Sequence, residues 1–306
     1  MLARLLSRPL IAILTLLAML AALLLVAVPL LVPVAVLKIL IPIAAIRRQF
    51  DRWLNWAASV VWAGCHRVIF RALHGKRRNV VIDDGLDPAK SWIIVANHQS
   101  WVDILLLVDV LYRRIGFPRF FIKQQMIWVP IIGFLAWALD MPFMRRSSAA
   151  ALAKNPALRD ADVETTRRFC RKFIGRPTTI VNFVEGTRCT EAKRLAKHSP
   201  YRYLLRPKSG GLSFTLNAMG EQFAGLIDVT FIYVPVPASQ PKICSFLAGD
   251  QRDVRIIVRR RPLPPELLAG DYQNDAEFRA RFQDWLNGLW DEKDQLIEAQ
   301  LASFRR

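Results

Sequence analysis

Hydrophobic positions follow three different rhythms along the chain. From Pro9 to Ile46 they are nearly continuous, and Lys38 is the only charged residue. A bilayer core takes about 20 helical residues, so residues 10–37 are long enough to cross one. The run also exceeds the ~7–15 apolar residues of a cleavable signal peptide. Pro29 and Pro33 interrupt it. Two arrangements stay open: one spanning helix followed by an interfacial piece, or a re-entrant hairpin bent at the prolines. In residues 53–70, Trp53, Trp56, Val60 and part of 65–69 alternate with polar positions. That pattern predicts an amphipathic helix, either lying in the membrane interface, where Trp is favoured, or packed on the domain that follows. From Asn79 onward, short β-branched runs at 80–82, 92–96, 119–122, 179–184, 228–234 and 254–259 predict strands. Helical spacing predicts helices over 101–113, 161–174, 212–219 and 276–304. The last has Phe278, Phe282, Trp285, Leu289 and Leu296 on one face. Such alternation predicts an α/β domain, a mostly buried mixed sheet flanked by helices, preceded by the hydrophobic helix or hairpin as a membrane anchor. The expected division is an anchor at 1–48, an amphipathic interfacial segment at 49–78 and the main domain at 79–306.

Composition narrows the partners. The chain has 306 residues, 53% of them hydrophobic, yet a net charge of +18. Disorder is excluded by the apolar content, and a multi-span transporter disagrees with 22% charged residues spread over most of the length. Forty-three Lys and Arg against 25 Asp and Glu imply an anionic partner: nucleic acid, a negative membrane face or a phosphorylated substrate. Arg4 and Arg8 precede the apolar run, while Lys38, Arg47, Arg48 and Arg52 end or follow it. The heavier basic side lies C-terminal, which predicts a membrane-bound protein, in a cytoplasmic or inner membrane, whose main domain faces the cytoplasm. Cys65, Cys170, Cys189 and Cys244 are far apart and form no CxxC pair, as expected of reduced packing residues.

The chemistry is concentrated in two short blocks. In Ala96-Asn97-His98-Gln99-Ser100-Trp101-Val102-Asp103 a hydrophobic strand runs straight into a histidine. If His98 sits on the turn leaving the strand and Asp103 in the first helical turn, the carboxylate can fix the imidazole tautomer and leave the other nitrogen as a general base. The competing reading is a capping-box-like helix start, Ser100-x-x-Asp103, in which Asp103 serves the backbone instead. Phe183-Val184-Glu185-Gly186-Thr187-Arg188 ends a second strand with an acid, a glycine and a cation. Glycine admits a close backbone approach and Arg188 can fork onto a phosphate; a plain polar turn is the alternative.

With these blocks in this order, the chain resembles the lysophospholipid acyltransferase superfamily, which includes the 1-acylglycerol-3-phosphate acyltransferases. The resemblance runs from about 79 to 234. Residues 97–103 match its His-x4-Asp block and 185–188 its Glu-Gly-Thr-Arg block. Residues 140–146 fall where the family has Gly-x-x-Phe-Ile-x-Arg, with Asp140 for the usual Gly and Met144 for the usual Ile. Asp228-Val229-Thr230 looks like the lysocardiolipin-type subgroup. The resemblance implies acyl transfer from acyl-CoA or acyl carrier protein to a lysophospholipid hydroxyl, with 1-acyl-glycerol-3-phosphate giving phosphatidic acid. Lysophosphatidylglycerol and lysocardiolipin are the alternative acceptors. His98 and Asp103 would be catalytic and no acyl-enzyme would form. Arg146, Glu185, Gly186, Thr187 and Arg188 would bind the phosphorylated acceptor, with Lys123 and Lys208 as further contacts. No metal or cofactor is expected beyond the acyl thioester co-substrate.

Charge placement agrees with an anionic head group: between Met141 and Gly210 there are 16 Lys and Arg against 5 Asp and Glu. The uncharged run at 126–139 is too short to span comfortably and reads either as a buried core helix or as a wall of an acyl-chain tunnel. A Gly-x-Ser-x-Gly elbow, a His-Glu-x-x-His pair and a phosphate loop are all missing from the sequence. The rival from another class is a basic, membrane-tethered binding module for anionic lipid or nucleic acid. It accounts for the charge, but it leaves both blocks without a task, and no nucleic-acid-binding motif is visible.

Overall fold

The computed structural model describes residues 6–74, 79–144, 157–233, 242–249 and 254–304. Arg146 and the end of the block around it lie outside them. The chain opens with a helix, α1 (Arg8–Leu40), long and apolar enough by length and composition to cross a membrane. It does not break at Pro29 or Pro33. A π-helical turn at Ala22–Ala27 lies just ahead of Pro29, in the turn where a proline ring removes an amide donor and crowds the preceding carbonyl. The chain reverses only at 41–43, around Pro42, into a second helical run, α2 (residues 44–74). The turn therefore falls before the expected boundary at 48, and Arg47 and Arg48 belong to α2. The hairpin is fastened at both ends. Thr15 and His74 hydrogen-bond at 2.9 Å, and Lys38 Nζ lies 2.7 Å from Asp51. Lys38 is thus a buried ion-pair partner, not a free charge at the membrane boundary. One face of α2 is packed on the domain through Leu54, Ala57, Ala58, Ala63 and Phe70, while Trp56 and Val68 stay exposed.

The main domain comprises β1 (Asn79–Ile82), β2 (Ser91–Ala96), α3 (Val102–Val110), β3 (Pro118–Phe120), β4 (Ile122–Lys123), α4 (Ile132–Ala138) and β5 (Phe143–Met144). It continues with α5 (Ala157–Arg171), β6 (Thr179–Asn182), α6 (Glu191–Ala196), α7 (Gly210–Met219), β7 (Phe223–Tyr233), α8 (Lys242–Leu247), β8 (Val254–Arg261) and α9 (Ala276–Phe304). Six strands form one mixed sheet in the order β1-β8-β7-β2-β6-β3, antiparallel only between β7 and β8. Its centre, β2, is buried at every position, as expected of a continuous apolar run in a sheet covered on both faces. Alternate residues serve opposite layers. Ile93 and Val95 pack with Phe169, Leu212 and the α9 residues Phe282 and Trp290. Trp92, Ile94 and Ala96 pack with Phe70, Leu106 and Phe246.

Two expected elements differ. The run at 119–122 is not one strand: β3 joins the main sheet, whereas β4 pairs with β5 in a separate two-stranded ladder. The run at 126–139 is not one helix either. A 3-10 turn at Gln124–Trp128 is followed by a break at Ile131, whose φ is 64°, and then by the short α4. Pro130 and the close backbone approach at Gly133 account for the break, because a Cβ there would sit 2.3 Å from the Ile127 carbonyl oxygen.

Candidate active site

β2 and β6 are neighbouring parallel strands, so the loops leaving their carboxyl ends lie side by side, where ligands of α/β sheets collect. The Cys189 amide donates to the His98 carbonyl oxygen at 2.6 Å and ties the two loops together. The ladder of β2 on β7 ends at Ala96 opposite Val229. Beyond it the Asn97 side chain donates to the Phe231 carbonyl at 2.9 Å and accepts from the Phe231 amide at 2.8 Å. A side chain thus continues the ladder while the backbone turns away, and His98 is held just past the strand end.

Asp103, fully buried at the start of α3, performs both tasks that the sequence left open. Its Oδ2 accepts from the Gln99 amide at 2.6 Å, the Ser100 amide at 2.8 Å and His98 Nδ1 at 2.9 Å. A carboxylate only accepts, so Nδ1 carries a proton, and in the neutral ring Nε2 is the nitrogen with the free lone pair. The Tyr233 hydroxyl donates to Oδ1 at 2.5 Å. Burial first, then the Asp103 charge, push the Tyr233 hydroxyl well above the usual tyrosine range, so it stays a donor. The His98 ring stacks on Phe183, with centroids 4.2 Å apart and 25° between planes.

After β6 the chain turns at Phe183–Gly186 through a hydrogen bond from the Gly186 amide to the Phe183 carbonyl, 2.9 Å. Gly186 has φ 68°, a left-handed conformation that a Cβ disfavours. Arg188 is exposed, its guanidinium 5.1 Å above the Trp101 ring. Lys193 on α6 donates to Thr187 Oγ1 at 3.0 Å and to the Arg188 carbonyl at 3.2 Å. His98, Lys123, Gly186, Thr187, Arg188, Trp101 and Lys193 all line one cavity of about 450 Å³. Phe120, Leu105, Met126 and Leu135 continue it, and Leu23, Ala27 and Leu31 of α1 close it. The 126–139 segment is thus a wall of this cavity, although it is not a single helix. A cavity lined by both cations and apolar side chains can receive a charged head and a hydrocarbon tail.

Two expected contacts sit elsewhere. Glu185 is 1% exposed and does not line the cavity; its carboxylate meets no hydrogen-bond partner of good geometry, although the His98 and Leu205 amides lie nearest. Burial, then the neighbouring Asp103 charge, push its carboxyl well above the usual range. Lys208 is exposed on the rim, its aliphatic chain packed beside Gly186. Beneath the site, Lys293 of α9 is wholly buried and donates to Asp228, to Thr230 Oγ1 at 2.9 Å and to the Val229 carbonyl at 2.9 Å. Asp228 also accepts from Arg261 at 3.1 Å. Asp228-Val229-Thr230 therefore receives the C-terminal helix and does not face the cavity.

Asp140, in the place of the family's glycine, has φ 54° and is held by Lys38 at 2.8 Å and Lys172 at 3.1 Å. Burial works to raise its carboxyl, but the two lysines outweigh it and the net is below the ordinary range.

Residues 77–238, more than half of the chain, match the family described as Acyltransferase. The chain belongs to the acyltransferase family. This acyltransferase is 22% identical over 272 residues to Lysocardiolipin acyltransferase 1 of Mus musculus, covering 85% of its own length and 67% of the relative's. It is 27% identical over 216 residues to 1-acyl-sn-glycerol-3-phosphate acyltransferase gamma of Homo sapiens, covering 67% and 52%. A solved structure, the 1-acyl-sn-glycerophosphate acyltransferase PlsC from Thermotoga maritima, is similar with a TM-score of 0.46 and 14% identity over 90% of this chain and 96% of that one. The chain thus spans roughly half to two thirds of the length of the curated relatives it matches.

Four residues of the site were not anticipated. Lys293 was detectable, as a cation at helical spacing inside the apolar stripe between Leu289 and Leu296. Trp101 stood within the first block without an assigned task. Nothing local marked Lys193 or Tyr233; the latter lies 130 residues from the carboxylate it binds.

Proposed function

We propose that this acyltransferase transfers an acyl chain from acyl-CoA or acyl carrier protein to the free hydroxyl of a lysophospholipid, most directly 1-acyl-glycerol-3-phosphate. The observation that carries the reading is the His98–Asp103 pair, 2.9 Å apart, with His98 lining a cavity that also holds Arg188, Lys123 and a largely apolar wall. His98 Nε2 takes the proton of the acceptor hydroxyl as its oxygen attacks the thioester carbonyl, and the thiolate leaves. Asp103 then holds the imidazolium. Such general-base help contributes about 10²–10⁴-fold, and holding both substrates in place supplies much of the rest. Arg188, stacked on Trp101, and Lys123 receive the phosphate, while the acyl chain lies against Phe120, Met126 and Leu135. The α1–α2 hairpin holds the enzyme at an anionic membrane surface on the cytoplasmic side, so that lipid enters from the bilayer. A module that only binds anionic lipid or nucleic acid would leave the His98–Asp103–Tyr233 chain without a task.

Lysophosphatidylglycerol or lysocardiolipin is the second reading, supported by the similarity to a lysocardiolipin acyltransferase. Purified protein given labelled acyl-CoA and a panel of lysophospholipids should form labelled phosphatidic acid first. Labelling of the other two acceptors alone would move the assignment to them. No acylated lipid from any acceptor would overturn it.

A further inference from the structure

We infer that a second cavity, at the amino ends of the strands, binds the phosphate head group of an anionic phospholipid. It measures about 540 Å³ and is bounded by Pro88 before β2, Phe117 before β3 and Pro177 before β6. His98 lies beyond the carboxyl ends of β2 and β6, so it sits at the opposite edge of the sheet, although Phe117 lines both cavities.

Five arginines line it: Arg48, Arg52, Arg113, Arg119 and Arg176. Arg119, 4% exposed, donates to Thr178 Oγ1 at 2.8 Å and Asn55 Oδ1 at 2.7 Å and lies 4.2 Å from the Phe173 ring centroid. Its buried Nε has no partner. Two carboxylates reach the cavity, and both are already matched. Lys38 lies 2.7 Å from Asp51 and 2.8 Å from Asp140, Arg176 lies 3.2 Å from Asp51, and Lys172 lies 3.1 Å from Asp140. Among the described residues Arg48, Arg52, Arg113 and Arg119 form no ion pair. Arg119 still feels the Asp140 and Asp51 charges, but Arg48, Arg52 and Arg113 pair with no carboxylate among the described residues; guanidinium groups gathered so around one concavity call for an anion, and their planar forks suit phosphate.

The surroundings point to a lipid as its bearer. Trp56, 53% exposed, lines the cavity, and the adjoining hairpin turn exposes Leu37, Ile39, Leu40, Ile43 and Ile46 at 40–69%. An apolar tip beside a rim of Trp and Arg matches the depth profile of a bilayer: hydrocarbon first, head groups next. The inference rests on the membrane reading given under Proposed function.

The test compares the wild-type chain with Arg48→Ala/Arg113→Asn in co-sedimentation. The vesicles are phosphatidylcholine alone or phosphatidylcholine mixed with phosphatidylglycerol. Asparagine suits position 113, where φ is 59°. Arg281→Ala/Lys197→Ala removes two exposed charges elsewhere. Wild type should bind both vesicles, the mixed ones more tightly. The cavity variant should keep phosphatidylcholine binding, its unfolding midpoint and acyl transfer in detergent, and lose roughly 10–30-fold of the phosphatidylglycerol-dependent gain. The control should lose less than about 2-fold. An unchanged gain in the cavity variant, or an equal loss in the control, overturns the site. If inorganic phosphate raises the midpoint of wild type but not of the cavity variant, while vesicle binding is identical, the ligand is a free phosphate and the lipid assignment fails. Wild type binding neither vesicle sinks the membrane reading itself.

Discussion

The two edges of the central sheet use charge in opposite ways. Beyond the carboxyl ends of β2 and β6, the buried charges have close partners. Asp103 accepts four hydrogen bonds and Lys293 is surrounded by Asp228, Thr230 and Val229, while burial raises the Glu185 carboxyl well above the ordinary range. At the amino ends, four arginines face a cavity without a carboxylate to themselves. Chemistry needs a base whose orientation and tautomer are set before the substrate arrives, and only saturated partners can set them. Binding an anion needs cations whose partner is still to come. The first edge holds its histidine through the filled hydrogen bonds of Asp103; the second leaves most of its arginines without a carboxylate of their own.

This contrast can be broken by substitution. The largest effect is expected at His98: His98→Ala should lower kcat by about 10²–10⁴-fold without changing vesicle binding. Near-normal acyl transfer in that variant would end the general-base role. Next comes Lys293→Met, which leaves Asp228 buried with Arg261 alone. Breaking a buried pair costs about 3–5 kcal/mol, read as a lower urea midpoint in detergent. Unchanged stability would mean that the charges beneath the site are not matched as described. Arg188→Ala should raise KM for the phosphorylated acceptor roughly 10–100-fold with little change in kcat. The same variant should leave the phosphatidylglycerol-dependent gain alone, which separates its edge of the sheet from Arg48 and Arg113.

Tyr233→Phe removes one donor from Asp103 and should lower kcat about 3–10-fold at constant KM. A purely structural tyrosine would move the unfolding midpoint instead of the kcat-to-KM split. The smallest effect is a pH trend. The folded-state pKa of Glu185 lies well above the ordinary 4.5, so the stability it contributes is complete below that value and is lost as pH rises through the folded one. Glu185→Gln should therefore match wild type near about pH 4 and become the more stable protein toward about pH 8, measured by urea unfolding at each pH. A constant difference across that range would show that Glu185 does not titrate as inferred.

Much of the frame was legible because it depends on local pattern. The strands at 92–96 and 254–259 and the long C-terminal helix carry regular apolar periods, and all three form where expected. The block at 126–139 misled because apolar composition says nothing about Pro130 and the tight approach at Gly133, which split it. Of the two arrangements open at the start of the chain, the hairpin bent at Pro29 and Pro33 fails for a similar reason. Prolines are local signals, yet a helix packed along α2 absorbs Pro29 with a π turn and bends only at Pro42. Glu185 lies in a block that does border the cavity, but its own side chain is buried away from it, and residue type alone does not say which way a side chain in a turn is directed.

The sequence by itself determined the family, the alternation of strands and helices and the two blocks of chemistry, because residue type and spacing encode these directly. The tertiary structure decided which atoms meet. It gave Asp103 both the helix start and the imidazole and brought Tyr233 to the same carboxylate. It also turned Asp228-Val229-Thr230 toward Lys293 and gathered arginines from α2, the turn after α3, β3 and the turn before β6 around one cavity. His98 and Asp103 are only five residues apart, but the Tyr233–Asp103 and Lys293–Asp228 partners are 130 and 65 residues apart, and only the packing of layers across the sheet brings them within hydrogen-bond reach.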